Sequence, residues 1–203
     1  MGIYRDSILP KLCDLSMRNE RLHPYRKRVV GAAEGRVLEI GSGSGLNLPF
    51  YPPVVREVLA LEPDANLLAM ARRVPHVEMP VNFIEASAEA IPLDDNSVDT
   101  VVTTWTLCTI PEAAAALCEM RRVLRPQGKL LFVEHGLSPD RGVRWWQDNL
   151  TPVWRRISGG CHLNRPIQSM IEGAGFGIDR IDTGYMRGPK PMTFMYEGSA
   201  RPR

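Results

Sequence analysis

A chain of 203 residues, 44% hydrophobic and 24% charged, can bury a core large enough to fold as one domain without disulfide staples and leaves no room for a second full domain. Its formal net charge of +2 gives no general nucleic-acid or membrane footprint, so no nucleic-acid partner is expected and any other partner must be argued from local features. Cys13, Cys108, Cys118 and Cys161 form no CxxC pair and no ligand-like spacing with the histidines, which argues against a zinc site or disulfide framework and for a reducing, cytoplasmic setting.

Near the N-terminus, Arg5, Asp6, Lys11 and Asp14 interrupt the apolar residues, and no signal-peptide core or apolar run of membrane-spanning length is found, so neither export nor a membrane anchor is expected. Ile8, Leu9, Leu12 and Leu15, then Leu22, Tyr25, Val29 and Val30, recur at helical intervals. They predict two helices that form a lid over residues 1–34, ahead of a main body at 35–203. The basic residues Arg18, Arg21, Arg26, Lys27 and Arg28 have two readings: peripheral contact with anionic lipid, or a solvated helix face diluted by Glu20.

RVLEI and REVLALE read as strands, and NLLAMARRV after Pro63 as a helix. VNFIEA and SVDTVVTTW predict a third and fourth strand, AAAALCEMRRVL a helix with Cys118 in the core, and KLLFVEH a fifth strand. Residues from Trp145 to Ile157 have helical spacing, and IQSMIEGAGF is a helix stopped by Gly173 and Gly175. GIDRIDTG and MTFMYEG supply the last strands, with Pro189-Lys190-Pro191 as the turn before the second of them. Strands alternating with helices predict an α/β, Rossmann-like, doubly wound sheet of seven mostly parallel strands, the last antiparallel, with helices on both faces. No feature fixes an oligomeric state.

VLEIGSGSG places Gly41, Gly43 and Gly45 directly after a buried strand, where a tight turn lets the backbone approach a ligand. In the dinucleotide fingerprint the third glycine falls at position 46, which is Leu46 here, so the motif argues against NAD and for another nucleoside ligand. Glu62 lies at the end of the second strand, where a carboxylate can accept hydrogen bonds from both ribose hydroxyls. The competing reading is a structural turn and a surface glutamate.

VLEIGSGSG, LEPDANLL, ASAEAIPLDDNSVD, VVTTWTLCTI and VLRPQGKLLFVEH stand in the order and spacing of class I S-adenosylmethionine-dependent methyltransferases, which the chain resembles over roughly residues 15 to 197. It is similar to small bacterial methyltransferases of the ubiquinone and phospholipid type, and to the methyltransferase-like animal proteins that methylate alkyl thiols. DNLTPVWRRISGGCHLNR looks like the second group. The resemblance implies S-adenosylmethionine as cofactor, with Gly41, Ser42 and Gly43 against its methionine and ribose portions and Glu39 supporting that loop. It further implies Glu62 on the ribose with Pro63 beside it, Leu67 on the adenine face, the Ala88 N–H on an adenine ring nitrogen, and a carbonyl of Thr104 or Trp105 on the methionine ammonium. Ser87 stands where many relatives carry Asp, so its uncharged hydroxyl is left to accept the adenine amino proton. Asp99 fits the family pattern as a structural residue.

Methyl transfer from a sulfonium is an in-line displacement from an activated donor, which chiefly demands alignment. A small, partly apolar acceptor is expected, a thiol first because it is intrinsically nucleophilic, with a phospholipid or quinone precursor as the alternative. A non-catalytic module that binds S-adenosylmethionine and acts by protein contact is the reading from another class. His135 and Glu134, after the fifth strand, are the catalytic candidates because α/β sites open at strand carboxyl ends. Each has a structural alternative, His135 as a hydrogen-bonded strand end and Glu134 as support for the cofactor loop. Cys108 is expected to line the acceptor pocket as a soft apolar surface. Trp145, Trp146 and Trp154 fit either core or that pocket. His162 and Asn164 could close it, although Asn164 is read first as a helix cap before Arg165-Pro166.

Overall fold

A computed structural model describes residues 8–75 and 79–203. Strands β1 (Gly35–Ile40), β2 (Val55–Leu61), β3 (Val81–Ile84), β4 (Val98–Thr104), β5 (Leu124–His135), β6 (Phe176–Tyr185) and β7 (Phe194–Pro202) form one sheet in the order β3-β2-β1-β4-β5-β7-β6. The pairs from β3 through β5 are parallel, while β7 runs antiparallel between β5 and β6. This is the predicted doubly wound sheet with its last strand reversed.

The helices are α1 (Leu9–Met17), α2 (His23–Val29), α3 (Ala65–Ala71), α4 (Ala113–Val123), α5 (Arg141–Ile157), α6 (Ile167–Gly173) and α7 (Lys190–Thr193). Both faces of the central strands are covered, so β1 ends in four consecutive buried residues. Leu38, Ile40 and Phe132 pack into a core with Leu117, Met120 and Ile171 on one side of the sheet. Val37, Val102 and Val133 pack on the other side with Val29 and Val30. Strand order reverses direction at β1, between β2 and β4, and that switch point opens a crevice beyond the strand carboxyl ends.

Local departures from the sequence reading have physical causes. Helix α3 ends at Ala71, and its start is fixed by the Asp64 carboxylate, which accepts from the N–H groups of Asn66 and Leu67. β5 begins at Leu124 rather than Lys129, with an irregular step in its register with β4. Pro189-Lys190-Pro191 leads into a single helical turn. Cys118 is exposed, because Ala116, Leu117 and Met120 take the core face of α4.

Asn164 is not a cap; its amide donates to Asp148 Oδ1 at 2.8 Å, while Pro166 precedes α6. The basic cluster is not a uniformly solvated face either. Arg26 is buried and donates to Asn47 Oδ1 and Met17 O, and Arg28 pairs with Glu197. Trp145 and Trp146 are 58% and 53% exposed, so neither belongs to the core or a pocket wall. Asp99 takes the structural role assigned to it, accepting from Arg36 N and pairing with Arg56 and Arg125.

Candidate functional site

At the switch point β1 runs into a turn whose Gly41 and Gly43 have φ of +65° and +53°. A Cβ on Gly41 would lie 2.4 Å from Thr106 Cγ2, so a bare backbone is required there. A Cβ on Gly43 would meet nothing nearer than 4.0 Å, because that position looks into open space. Glu62, immediately beyond β2, ties the turn down: Oε2 accepts from Gly43 N and Oε1 from Asp64 N, each at 3.0 Å. Burial pushes its carboxyl up, against the pull of those two N–H groups. Two bonds leave lone pairs unspent on a carboxylate that borders the crevice.

The crevice is a cavity of about 870 Å³. Gly41, Ser42, Gly43, Glu62, Pro63, Leu67, Ser87, Ala88, Thr104, Trp105 and His135 border it, so most sequence-predicted site residues converge on one space. Gly45, Glu39 and Glu134 do not. Gly45 instead sits where a Cβ would press on Val74, Ala71 and Leu48, which makes it a close-packing position. Glu39 lies behind the turn and accepts from Asn47 Nδ2 at 2.8 Å and Tyr51 Oη at 2.9 Å. Desolvation raises its carboxyl to about 7, with these bonds and Arg26 opposing. Glu134 Oε1 accepts from Thr103 Oγ1, Thr106 N and Leu107 N, which makes it the anchor of the loop after β4, and burial raises its pKa to about 7.

Two wall features bear on ligand recognition. Ser42 Oγ is buried with no partner. The Ser87 hydroxyl is already engaged with Glu89, accepting from its N–H at 3.2 Å and meeting its carboxylate at 3.0 Å. Helix α1 borders the cavity through Leu9, Leu12 and Cys13, and Ser44 Oγ in the glycine turn donates to Asp14 Oδ1 at 2.5 Å. Trp105 has φ of +51°, a sparsely populated conformation for a bulky residue, and its ring stacks under the Arg26 guanidinium at 5.1 Å.

Also on the cavity wall, Cys108, His135 and Cys161 come together, with their sulfur and nitrogen atoms all within 4.8 Å of one another. His135 Nε2 is 3.2 Å from Cys161 Sγ. The Cys108 thiol and His135 draw the Cys161 thiol well below the usual range, while the contact with Cys161 and burial raise Cys108. Arg165 straps the Cys108 loop by donating to Leu107 O, Ile110 O and Pro111 O. Cys161 and Arg165 were missed as site residues by sequence reasoning. The only signal was the segment GGCHLNR, because the partners lie on β5 and after β4, far away in the chain.

Comparison with known proteins decides the family. A model described as a methyltransferase domain matches residues 38–132. Human thiol S-methyltransferase TMT1B is 32% identical over 91% of this chain and 76% of its own length. The chain belongs to the class I S-adenosylmethionine-dependent methyltransferases. Rat thiol S-methyltransferase TMT1B is 38% identical over 73% of this chain, which spans 63% of the length of that relative. An S-adenosylmethionine-dependent methyltransferase from Aquifex aeolicus shares the fold, with a TM-score of 0.66 and 19% identity over 94% of this chain and 97% of its own. The cavity wall fits the family's cofactor, S-adenosylmethionine: it offers a carboxylate with free lone pairs, the orphaned Ser42 hydroxyl and the open space over Gly43.

Proposed function

We propose that this chain transfers the methyl group of S-adenosylmethionine to a small, partly apolar thiol. The cavity carries this reading, since one continuous space runs from Glu62 and the glycine turn to the Cys108, His135 and Cys161 corner. S-adenosylmethionine supplies a methyl group already activated on a sulfonium, so the protein's task is placement and water exclusion. Glu62 would hold the ribose hydroxyls, Gly41 to Gly43 the nucleoside and methionine portions, and Leu67 and Ala88 the adenine, all of them residues that border the cavity. α1 acts as a lid that keeps water from the reacting groups.

The acceptor corner favours sulfur. It presents thiols, an imidazole and Trp154, while the nearby carboxylate Glu134 is committed to the loop after β4. A thiol acceptor needs little base assistance, because the thiolate fraction present near neutrality is strongly nucleophilic. Two relatives bearing the name thiol S-methyltransferase add support. The test is release of S-adenosylhomocysteine from labelled cofactor with alkyl thiols, phosphatidylethanolamine vesicles and quinol precursors as separate acceptors. Turnover is expected with thiols; turnover with lipid or quinol alone overturns the reading, and cofactor binding without turnover on any of them points to a non-catalytic module.

A specific observation also supports contact with a membrane surface. Among the described residues no helix is long and apolar enough to cross a membrane. Yet, Val54 apart, the exposed large apolar residues of the described chain gather at α1, with Ile8 just before it and Leu12 and Leu15 on it, and on α5, with Trp145, Trp146, Leu150, Val153 and Ile157. Exposed Arg141, Arg144, Arg155 and Arg156 accompany them on α5, a pattern suited to anionic headgroups. Leu12 and Ile157 also border the cavity, so an apolar acceptor would enter from that side.

A further inference from the structure

We propose that Cys108, His135 and Cys161 bind a zinc-type divalent cation at the acceptor end of the cavity and leave one coordination position open toward it. The site itself stands on the geometry; its use in methyl transfer rests on the thiol reading above. No local motif announces it, since the ligands come from the loop after β4, the last residue of β5 and the loop after α5. The expectation of no zinc site, drawn from sequence spacing, did not reach a trio that only the fold assembles.

The donor set is two thiol sulfurs and one imidazole nitrogen, which suits zinc. With Zn–S near 2.3 Å and Zn–N near 2.0–2.1 Å, tetrahedral ligand atoms lie about 3.5–3.8 Å apart. Here all three fall within 4.8 Å, and Nε2 to Cys161 Sγ is 3.2 Å, so small side-chain rotations close the site. No strong competing bond holds them. Cys108 Sγ makes a 3.5 Å contact with Trp105 O and otherwise meets Cys161 itself, Cys161 also meets the Trp154 side chain, and His135 Nδ1 is buried without a partner. The backbone behind them is fixed, because His162 N donates to Cys108 O at 2.8 Å and Arg165 clamps the carbonyls of Leu107 and Ile110.

Three protein ligands with a free fourth position form the pattern of a reactive zinc site, whereas structural sites are closed by a fourth protein ligand. All three residues border the cavity, and among the described residues no further His, Cys, Asp or Glu joins them. Metal uptake releases to solvent the protons that the thiols and the imidazole hold, and the two thiolate charges balance the cation. An acceptor thiol entering the fourth position likewise gives its proton to solvent. Its sulfur lone pair then forms the new S–C bond, and the broken bond's electrons stay on the departing sulfur of the cofactor. The product thioether is an uncharged, weaker ligand and leaves.

Reduced, chelator-treated protein titrated with Zn²⁺ by calorimetry, and with Co²⁺ by absorption, tests the site. Uptake of one equivalent is expected, with thiolate-to-cobalt charge-transfer bands and the visible bands of tetrahedral cobalt. Cys161→Ala and Cys108→Ala should abolish these bands, with retained S-adenosylhomocysteine binding showing that each variant is folded, and Cys118→Ser on the outer face of α4 should preserve them. Absence of stoichiometric uptake by folded protein, or uptake unchanged in the Cys108→Ala/Cys161→Ala variant, overturns the proposal. An alkyl thiol added to cobalt-loaded protein without cofactor should shift the bands. Unshifted bands with a thiol that is methylated overturn the open position and leave the thiol reading standing, whereas metal uptake with no thiol methylated does the reverse.

Discussion

Glu62 spends one lone pair on each of two backbone N–H groups, and the carboxylate's remaining capacity faces the cavity. Glu62→Ala would remove the charged acceptor proposed for the ribose hydroxyls and also loosen Gly43 and Asp64. Hydrogen bonds to charged groups are worth about 1.5–3 kcal/mol, so affinity for S-adenosylmethionine and S-adenosylhomocysteine should fall about tenfold or more by calorimetry. Unchanged affinity removes Glu62 from the ribose. Gly43 gives an independent test, because its Cβ position is open while its φ is +53°. Gly43→Ala should cost about 1–2 kcal/mol of stability through the left-handed backbone and lose cofactor binding while circular dichroism stays native. Binding that survives places the cofactor elsewhere. The place of Glu62 beside the glycine turn was legible in the sequence because one connecting loop and one strand, β2, separate the two. Cys161 was not, since its neighbours His135 and Cys108 reach it only through tertiary packing.

Periodicity reveals elements but not always which face they bury. Strands β1 to β5 and α4 were readable because their apolar runs meet a core on the expected sides. α5 was readable as a helix, yet its buried residues are Gln147 and Thr151, and its apolar stripe faces out. Gln147 explains the inversion: its side chain accepts from Ser138 N and donates to Gly136 O and Pro191 O, satisfying the loop after β5 and a carbonyl of α7. A hydrophobic pattern cannot announce that a polar side chain is wanted inside. The consequence is testable on the outer face. The Trp145→Gln/Trp146→Gln variant should sediment less with anionic vesicles than the parent chain, with turnover of a soluble thiol unaltered because neither ring borders the cavity. Equal sedimentation removes the membrane contact.

At the scale of the whole molecule, carboxyls that are partly or fully buried set how stability follows pH. Asp99 shows one direction: burial works against its charge, but Arg36 N–H, Arg56 and Arg125 hold its carboxyl below 3.8, so its contribution is present above that value and fades as pH falls through the lowered one. Glu39 works the other way, because desolvation raises its carboxyl from 4.5 to about 7 against the pull of Asn47, Tyr51 and Arg26. Between those two values the unfolded chain has released a proton that the folded chain still holds. The folded state therefore binds more protons there, and stability falls as pH rises through the window. Glu39→Gln retains the hydrogen-bonding geometry, since the amide oxygen can accept from Asn47 and the Tyr51 hydroxyl can turn to accept from the amide nitrogen. Thermal unfolding of the parent chain should show Tm declining from pH 4.5 to 7, and the Glu39→Gln profile should be flatter over the same interval. Parallel profiles would mean that Glu39 is ionised in the fold throughout, held so by Arg26, whose guanidinium burial lowers to about 10.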